Sequence, residues 1–392
     1  METLKTAYNE LLTNTDTKFV RYLYGSIPWD DPLVLILGAR GVGKTTMMLQ
    51  NILLRKERDT SLYIMADSPY FSTHTLYDTA YEFYKRGGQH LYIDEIHKYN
   101  GWSRELKAIY DVFGKGLKVT ASGSSMIDII HGLEVDLSRR ALKYTLEGLS
   151  FREYLNMSRK TDIQPQSLEA ILGGHVEWPR EIGHPLPLFD EYLRKGYYPF
   201  FNKTDYLQRF DNVVAQTLEV DIPHHANLSV STARKLKKLM SVVAQSTPFK
   251  PNFSNLGRTL EMNRTTVADM LTYIERAGLL RMLREDDDIM DQFTKIEKVY
   301  LANTNLCYAL CDTVPDKGSL RETFFFSQMA VNHRISASPV SDFIVDGHTF
   351  EVGGKNKKKK QIADVKDAFV VKDDTEYAYY NFIPLWMFGL TY

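Results

Sequence analysis

One short stretch, residues 33–48 (LVLILGARGVGKTTMM), constrains the fold more than any other part of the chain. Its first five residues, Leu33–Leu37, are all apolar and predict a buried parallel strand. The next eight residues, Gly38–Thr45, match the pattern G-x-x-x-x-G-K-[ST] at every fixed position. The residues that follow contain neither Gly nor Pro as far as Leu54 and can continue as a helix. Strand, glycine-rich loop and helix therefore occur in the order of a phosphate-binding P-loop.

The residue types of this loop fit a nucleotide. Its glycines let the backbone curl so that successive N–H groups face phosphate oxygens, and the helix that begins near Lys44 adds the positive end of its dipole. Lys44 would reach the β- and γ-phosphates, and the hydroxyl of Thr45 would bind Mg²⁺. A glycine-rich turn without a ligand is the alternative. We predict that ATP contacts the loop residues Gly38, Ala39, Arg40, Gly41, Val42, Gly43, Lys44, Thr45 and Thr46.

A second apolar strand ends in two acidic residues, about fifty positions after the loop. This segment, Gln89–Glu95, reads QHLYIDE. Asp94 could hold Mg²⁺ through a water molecule, and Glu95 could take the proton from the attacking water. Strand ends are often acidic, so this pattern indicates a nucleotide site only because a P-loop precedes it. The presence of Glu95 favours hydrolysis of ATP over nucleotide sensing.

Two further groups could complete a hydrolysis site. The strand predicted at Leu117–Ala121 runs into a serine-rich segment, from which we select Ser124 as the hydroxyl that would contact the γ-phosphate or the attacking water. A turn or a helix N-cap is the alternative role for such a serine. Arg139 and Arg140 could stabilise charge in the transition state, within the chain or from a neighbouring subunit. A surface ion pair is the alternative for both arginines.

The overall composition bounds the class of protein. A chain of 392 residues is too long for one ordinary core, so two or three domains are expected. The net charge of -1 does not indicate nucleic acid, and any such contact would need a local basic patch. Cys307 and Cys311 have no His cluster beside them and are expected to be buried thiols. Without an apolar leader or a long apolar run, the chain is expected to be cytoplasmic and to make no membrane contact.

The segment 231–302 predicts a winged helix-turn-helix. In a DNA-binding protein the third helix of this segment would present Arg264 and Thr265 to the major groove. The acidic run at residues 285–288 would repel DNA, and winged helices also bind proteins, so both partners stay open. The pattern predicts three helices followed by two pairing strands, Ala233–Ser246, Phe253–Leu260, Arg264–Ala277, Leu279–Arg284 and Lys298–Leu301.

The last segment carries the acidic spacing of the PD-(D/E)xK nucleases. Glu322 on a helix, Asp342 on a strand and Glu351 on the returning strand would gather Mg²⁺ in such an enzyme. The position of the lysine that would activate water is Gly353, and the nearest amine along the strand is Lys355. We therefore expect an inactive nuclease-like fold. The basic run that follows, with Lys357–Lys360, is the best local candidate for contact with DNA phosphates.

The order of these motifs resembles that of a family of AAA-type ATPases, widespread in prokaryotes, whose C-terminal half carries a domain of unknown function. The resemblance rests on the P-loop and on the strings LYIDEIHK, VTASGSS, LSRR, LSFREYL and EYLRKGYYP, and it covers nearly the whole chain. It implies an ATP-binding module joined to a winged helix and a remnant nuclease-like fold, with Ser124 at the sensor position. It implies no settled biological role.

These observations predict an α/β fold in four parts. A P-loop NTPase domain with a parallel sheet would occupy residues 1–150, and a helical linker would occupy residues 151–230. A winged helix would follow at 231–302, and a small α+β domain like that of restriction endonucleases would occupy 303–392. The predicted function is hydrolysis of ATP with Mg²⁺ to drive or switch a partner. An ATP-regulated DNA-binding protein or nuclease and an ATP-gated protein-interaction switch are the alternatives, and an oligomer is expected if Arg139 or Arg140 acts in trans.

Overall fold

The computed structural model describes residues 2–123, 137, 139–226, 228–285, 296–311 and 314–392. The chain divides into two units, Met1–Glu147 and Gly148–Tyr392. The domain boundary expected at residue 150 remains a prediction. The three parts expected after it, 151–230, 231–302 and 303–392, lie together in the second unit, and their separation into domains remains a prediction.

A five-stranded parallel sheet forms the centre of the first unit. The order of its strands across the sheet is β2-β3-β4-β1-β5. Every residue of β1 and β3 is buried, which explains why both strands are continuous apolar runs rather than alternating ones. The strands are β1 (Leu33–Leu37), β2 (Ser61–Met65), β3 (His90–Asp94), β4 (Lys118–Gly123) and β5 (Leu142–Thr145).

Helices connect β1 to β2, β2 to β3 and β3 to β4, and the parallel strands end at one common edge of the sheet. The P-loop of residues 38–43 separates β1 from the helix that begins at Lys44, as predicted. One strand is longer than expected, because β4 continues through Ser122 to Gly123, where it pairs with Leu37 of β1. The α-helices among the described residues of this unit are α1 (Glu2–Thr13), α2 (Lys44–Leu54), α3 (Leu76–Lys85) and α4 (Trp102–Phe113).

The second unit begins with helices and ends with a sheet. Its helices are α5 (Phe151–Arg159), α6 (Leu168–Leu172), α7 (Pro185–Lys195), α8 (Tyr206–Gln216), α9 (Ile222–His225), α10 (Val230–Ser246), α11 (Phe253–Leu260), α12 (Arg264–Arg276), α13 (Thr304–Leu310) and α14 (Lys317–Met329). A π-helical turn, Thr217–Asp221, joins α8 to α9. Within the part of the chain that the structure describes, no helix has the length and apolar character needed to cross a membrane.

An antiparallel hairpin follows α12. Its strands are β6 (Leu280–Arg284) and β7 (Ile296–Leu301). Helices α10, α11 and α12 and this hairpin occupy the segments in which the sequence predicts a winged helix, and that assignment remains a prediction. Asp286–Asp288, the acidic residues expected at the tip of the hairpin, lie outside the described residues.

The C-terminal sheet has the order β12-β11-β10-β9-β8. Strand β9 pairs antiparallel with both β8 and β10, whereas β11 pairs parallel with both β10 and β12. Helix α14 contributes Phe325 to the core of this sheet, where its ring packs against those of Phe343 and Phe350. The strands are β8 (Ile335–Ala337), β9 (Phe343–Val345), β10 (His348–Gly353), β11 (Ala368–Lys372) and β12 (Phe382–Pro384).

Two of the three acidic residues of the nuclease-like pattern face a lysine of the hairpin. Lys298 Nζ on β7 lies 3.0 Å from Glu322 Oε2 and 3.6 Å from Asp342 Oδ1. Tyr300, two residues along the same strand, donates its hydroxyl to Glu322 Oε2 at 2.8 Å. The hairpin therefore supplies a positive charge and a donor to these carboxylates.

The third acidic residue, Glu351, has a lysine of its own. It pairs with Lys357, not with Lys355, which was expected to be the nearest amine. The hydroxyl of Ser341 also donates to Glu351 Oε2, at 2.7 Å. In the described parts of the chain, no group of three or more His, Cys, Asp or Glu side chains is arranged to hold a metal ion. Lysine ammonium groups thus neutralise these carboxylates.

The surroundings of Asp342 change the pKa of its carboxyl group. Burial, together with the charges of Glu322 and Glu351, raises the pKa of Asp342 to about 6, while the N–H of Val352 and the charge of Lys298 oppose the shift. A carboxyl group whose pKa is higher in the folded chain than in the unfolded chain binds protons more tightly when folded. Its contribution to stability is therefore present at acidic pH and is lost as the pH rises toward 6.

We predict that Asp342→Asn removes this pH dependence. An asparagine can still accept the hydrogen bond from Val352 N–H, but it cannot ionise. The free energy of unfolding of the variant, relative to the wild type, should rise by about 2–3 kcal/mol between pH 4 and pH 7. Urea unfolding of both proteins across this pH range measures the difference. If the difference in unfolding free energy between the two proteins does not change with pH, the raised pKa of Asp342 is refuted.

Candidate active site

The loop between β1 and α2 requires glycine at defined places. Gly38 has a φ of 151° and Gly43 a φ of 104°, conformations that residues with a side chain rarely adopt. A Cβ atom at Gly38 would lie 2.3 Å from the carbonyl oxygen of Leu146, so a side chain there would clash with the backbone after β5. The close approach of these two segments holds the loop in its curled form.

Lys44 places its charge inside this loop. Its side chain is buried, and Nζ donates to the carbonyl oxygens of Gly38 at 2.9 Å and Ala39 at 3.0 Å. A buried ammonium group needs such partners, because its transfer out of water is costly. The contacts hold the ammonium group against the backbone of the residues that are predicted to surround phosphate.

Arg21, in the segment before β1, contacts the backbone of the P-loop. Its guanidinium group is buried and donates to the carbonyl oxygens of Val42 and of Glu147, the latter at 2.7 Å. It therefore ties the P-loop to the end of the first unit. This role was not predicted, because nothing in the local sequence pattern connects Arg21 to residues 42 and 147.

The hydroxyl of Thr45 meets the carboxylate of Asp94, although 49 positions separate the two residues. Thr45 Oγ1 donates to Asp94 Oδ2 at 2.5 Å. Hydroxyl and carboxylate oxygens are hard ligands of the kind that Mg²⁺ prefers, and Mg²⁺ sites on nucleotides need few protein ligands because phosphates and waters supply the rest. The donor set at this point fits the predicted metal.

Asp94 is nearly inaccessible to solvent, with 2% of its surface exposed, and is surrounded by donors. Besides Thr45, the hydroxyl of Tyr63 donates to Oδ2 at 2.6 Å. On the other oxygen, Oδ1 accepts hydrogen bonds from the hydroxyl of Ser122 and, at 3.1 Å, from the backbone N–H of Glu95. These four donors satisfy a carboxylate that would otherwise be costly to bury.

Tyr63 is a residue of the site that the sequence analysis missed. Strand β2 lies beside β3 with Tyr63 opposite Tyr92, so Asp94, two residues further, lies diagonally across on the same face. Burial, and then the charge of Asp94, raises the pKa of Tyr63, so its phenol stays protonated and acts as a donor. Knowledge of the strand order would have revealed the pair.

The serine that contacts the acidic strand in this structure is Ser122. It is fully buried at the end of β4, and its Oγ lies 3.3 Å from the backbone nitrogen of Glu95 as well as close to Asp94. Ser124, the serine selected from the sequence, lies outside the described residues, so its role remains a prediction.

Glu95 follows Asp94 in a left-handed conformation, with a φ of 52°. Non-glycine residues adopt this conformation at a cost and often at functional sites. Its Oε2 atom is 3.8 Å from Arg40 Nη2 and 3.6 Å from Lys98 Nζ. His97 Nε2 lies 3.7 Å from the same oxygen. The carboxylate of Glu95 therefore stands at the strand end among cationic groups, one of which belongs to the P-loop.

The described residues include both arginines that were predicted to act on the phosphate. Arg140 Nε pairs with Asp111 Oδ1 on α4 at 2.8 Å, and the side chain of Arg139 is exposed. The contact with Asp111 is the surface ion pair that was considered as the alternative for Arg140. A role for either arginine in hydrolysis remains a prediction.

Comparison with known families supports the assignment of the first unit. Residues 30–155 match a family described as "AAA domain". Residues 186–317 match a second family, described as "Domain of unknown function (DUF8612)". The first match contains the P-loop, Tyr63, the Asp94-Glu95 pair and both arginines.

A relative is similar to this chain over part of its length. It is the uncharacterized protein MJ1637 of Methanocaldococcus jannaschii, which is 26% identical over 267 residues. The alignment takes in 63% of this chain and 56% of the relative, so the matched region spans little more than half of that protein.

Solved structures give weaker similarities. AMPPCP-bound DnaA from Aquifex aeolicus is 14% identical, with a TM-score of 0.30, over 69% of this chain and 86% of its own. PCH-2 of C. elegans is 15% identical, with a TM-score of 0.26, over 69% of this chain and 67% of its own. These scores carry no argument for the fold, which rests on the parallel sheet and the family match. The chain thus contains an AAA-type P-loop domain over residues 30–155, followed by a segment that matches a domain of unknown function.

Proposed function

We propose that the first unit binds ATP together with Mg²⁺ and hydrolyses it in the cytoplasm, and that this reaction drives or switches a partner of the chain. The contact between Thr45 and Asp94 supports the proposal most directly. It joins the start of helix α2 to the acidic end of β3, which are the two places where a P-loop hydrolase needs oxygen ligands for a metal.

Each residue of the site has a defined part in this proposal. The backbone N–H groups of residues 38–46 and the ammonium group of Lys44 would bind the phosphates. Thr45 and Asp94 would hold Mg²⁺, which when bound supplies positive charge to the phosphate oxygens. Glu95 would accept a proton from the water whose oxygen attacks the γ-phosphorus, as the bond to the bridging oxygen of ADP breaks.

Lys44 would contact phosphate close to its described position. An ammonium group has three N–H donors, and those of Lys44 bond to the carbonyl oxygens of Gly38 and Ala39. Phosphate oxygens would join these partners, and the attraction between an ammonium group and an anionic oxygen would favour the contact. The curled loop thus keeps the charge of Lys44 close to its place of action.

Substitution of Lys44 and Glu95 separates binding from hydrolysis. We expect Lys44→Ala to abolish measurable ATP binding, because it removes the buried charge of the loop. Glu95→Gln should keep ATP bound and lower turnover by about 10²–10⁴-fold, the contribution typical of a general base. Equilibrium binding of ATP and phosphate release measure the two effects.

Lys85→Ala is the matched control for the lysine, since Lys85 is an exposed residue on α3 in the same unit. It should retain both binding and turnover. Unchanged affinity in the Lys44 variant, or unchanged turnover in the Glu95 variant, would refute the corresponding role.

A second candidate function is ATP-regulated binding of DNA by the second unit. We propose that α10–α12 and the β6–β7 hairpin form a winged helix, and that the C-terminal sheet is an inactive nuclease-like fold whose acidic residues are neutralised by lysine. Arg264 and Thr265 are exposed at the start of α12, where a recognition helix would contact base edges. An ATP-gated interaction with a protein client is the alternative use of the same surface.

The positive charge available for DNA is smaller than the sequence suggests. Lys237 pairs with Glu219, and Lys250 pairs with Glu297 at 2.7 Å. In the basic run of residues 357–360, Lys357 pairs with Glu351, whereas Lys358 is exposed. Any binding to DNA would therefore draw on Arg264 and on exposed lysines such as Lys358.

Salt-dependent binding of duplex DNA tests this second function. If α12 contacts DNA, Arg264→Ala should weaken binding and lower the slope of log K against log salt by about one. Arg209→Ala removes an exposed arginine of α8 that pairs with Asp205, and it should leave the slope unchanged. Fluorescence anisotropy with a labelled duplex measures both. Absence of binding at low salt would exclude DNA and favour a protein client.

A further inference from the structure

We propose that Tyr63 positions Asp94 for Mg²⁺, so that the phenol of β2 sets the response of nucleotide binding to the metal. The inference rests on the proposed function, because it assigns a residue to the same metal site. Tyr63 would be a positioning residue and not a catalytic one, since it would act through the carboxylate of Asp94, to which its hydroxyl donates.

The geometry distinguishes Tyr63 from the other donors around Asp94. Its hydroxyl donates to Oδ2, which is the oxygen that also accepts the hydrogen bond from Thr45. The two donors therefore fix the same carboxylate oxygen from different elements, one from β2 and one from α2. Because Thr45 is itself a proposed ligand, the position of Oδ2 relative to Thr45 decides where the metal and its waters can be held.

The surroundings of Tyr63 make the phenol a rigid support. The side chain is 2% exposed, and it lies on β2, whose backbone is paired to β3. A packed tyrosine has few torsions to restrict, so its hydroxyl can hold a neighbouring group with little loss of entropy. Groups that hold metal ligands through hydrogen bonds commonly change metal affinity by about 10–100-fold when they are removed.

Loss of the hydroxyl alone tests the idea. In Tyr63→Phe the ring remains, but Oδ2 of Asp94 loses one of its donors. We expect the affinity for a fluorescent ATP analogue in EDTA to stay within about twofold of the wild type, because the P-loop is intact. The Mg²⁺ concentration that gives half of the metal-dependent change in analogue binding should rise about tenfold.

The neighbouring tyrosine supplies a matched control. Tyr92 lies opposite Tyr63 on β3, is fully buried, and hydrogen-bonds to Asn51 at 2.7 Å rather than to Asp94. Tyr92→Phe therefore removes a buried phenol hydroxyl from the same part of the sheet. It should lower the unfolding temperature comparably while leaving the Mg²⁺ midpoint unchanged. Both variants are assayed well below their unfolding temperatures, so that loss of folding does not enter the result.

A double variant separates support of Asp94 from other effects. In an Asp94→Asn background the carboxylate is gone, and Tyr63→Phe should cause no further rise of the Mg²⁺ midpoint. A wild-type midpoint in Tyr63→Phe, or an equal rise in Tyr92→Phe, would overturn the inference while leaving the proposed function intact. Failure of the wild-type protein to bind the ATP analogue would overturn both.

Discussion

The burial of one carboxylate, that of Asp94, is the constraint on which the first unit depends. An ionised carboxylate in this position is tolerated only because hydroxyl and N–H donors surround it. Those donors come from α2, β2, β4 and the residue that follows β3, so the carboxylate holds together elements that are far apart in the sequence. The same arrangement brings the hydroxyl of Thr45 to the acidic strand end. Stability of the unit and organisation of the proposed metal site therefore have a common origin.

The sequence predicted those parts of the site that are determined locally. The P-loop has a fixed spacing because glycine is needed where φ is positive, and the lysine must follow the last of these glycines. Buried parallel strands leave continuous apolar runs, which located β1 and β3. The helix after β1 also begins where it was expected, at Lys44. Such features depend on neighbours in the chain and can be read without knowledge of the tertiary structure.

The site residues that were not predicted are those whose contacts depend on the tertiary structure. Tyr63 faces Asp94 only because β2 is placed beside β3, and Arg21 reaches the P-loop only because the end of the first unit lies next to it. The extension of β4 through Ser122 was missed because serine and glycine usually indicate a turn. In the second unit, Lys357 rather than Lys355 pairs with Glu351, since the chain after β10 bends back instead of continuing along the strand.

A structure with nucleotide bound tests most directly whether the P-loop and Lys44 bind the phosphates of ATP. The structure of the protein should be determined with Mg²⁺ and a non-hydrolysable ATP analogue at saturating concentration. We expect the phosphates to lie within the loop of residues 38–45 and Lys44 Nζ to lie within hydrogen-bond distance of phosphate oxygens. An analogue bound away from this loop, or a bound analogue whose phosphate oxygens make no hydrogen bond with Lys44 Nζ, would refute the proposed site.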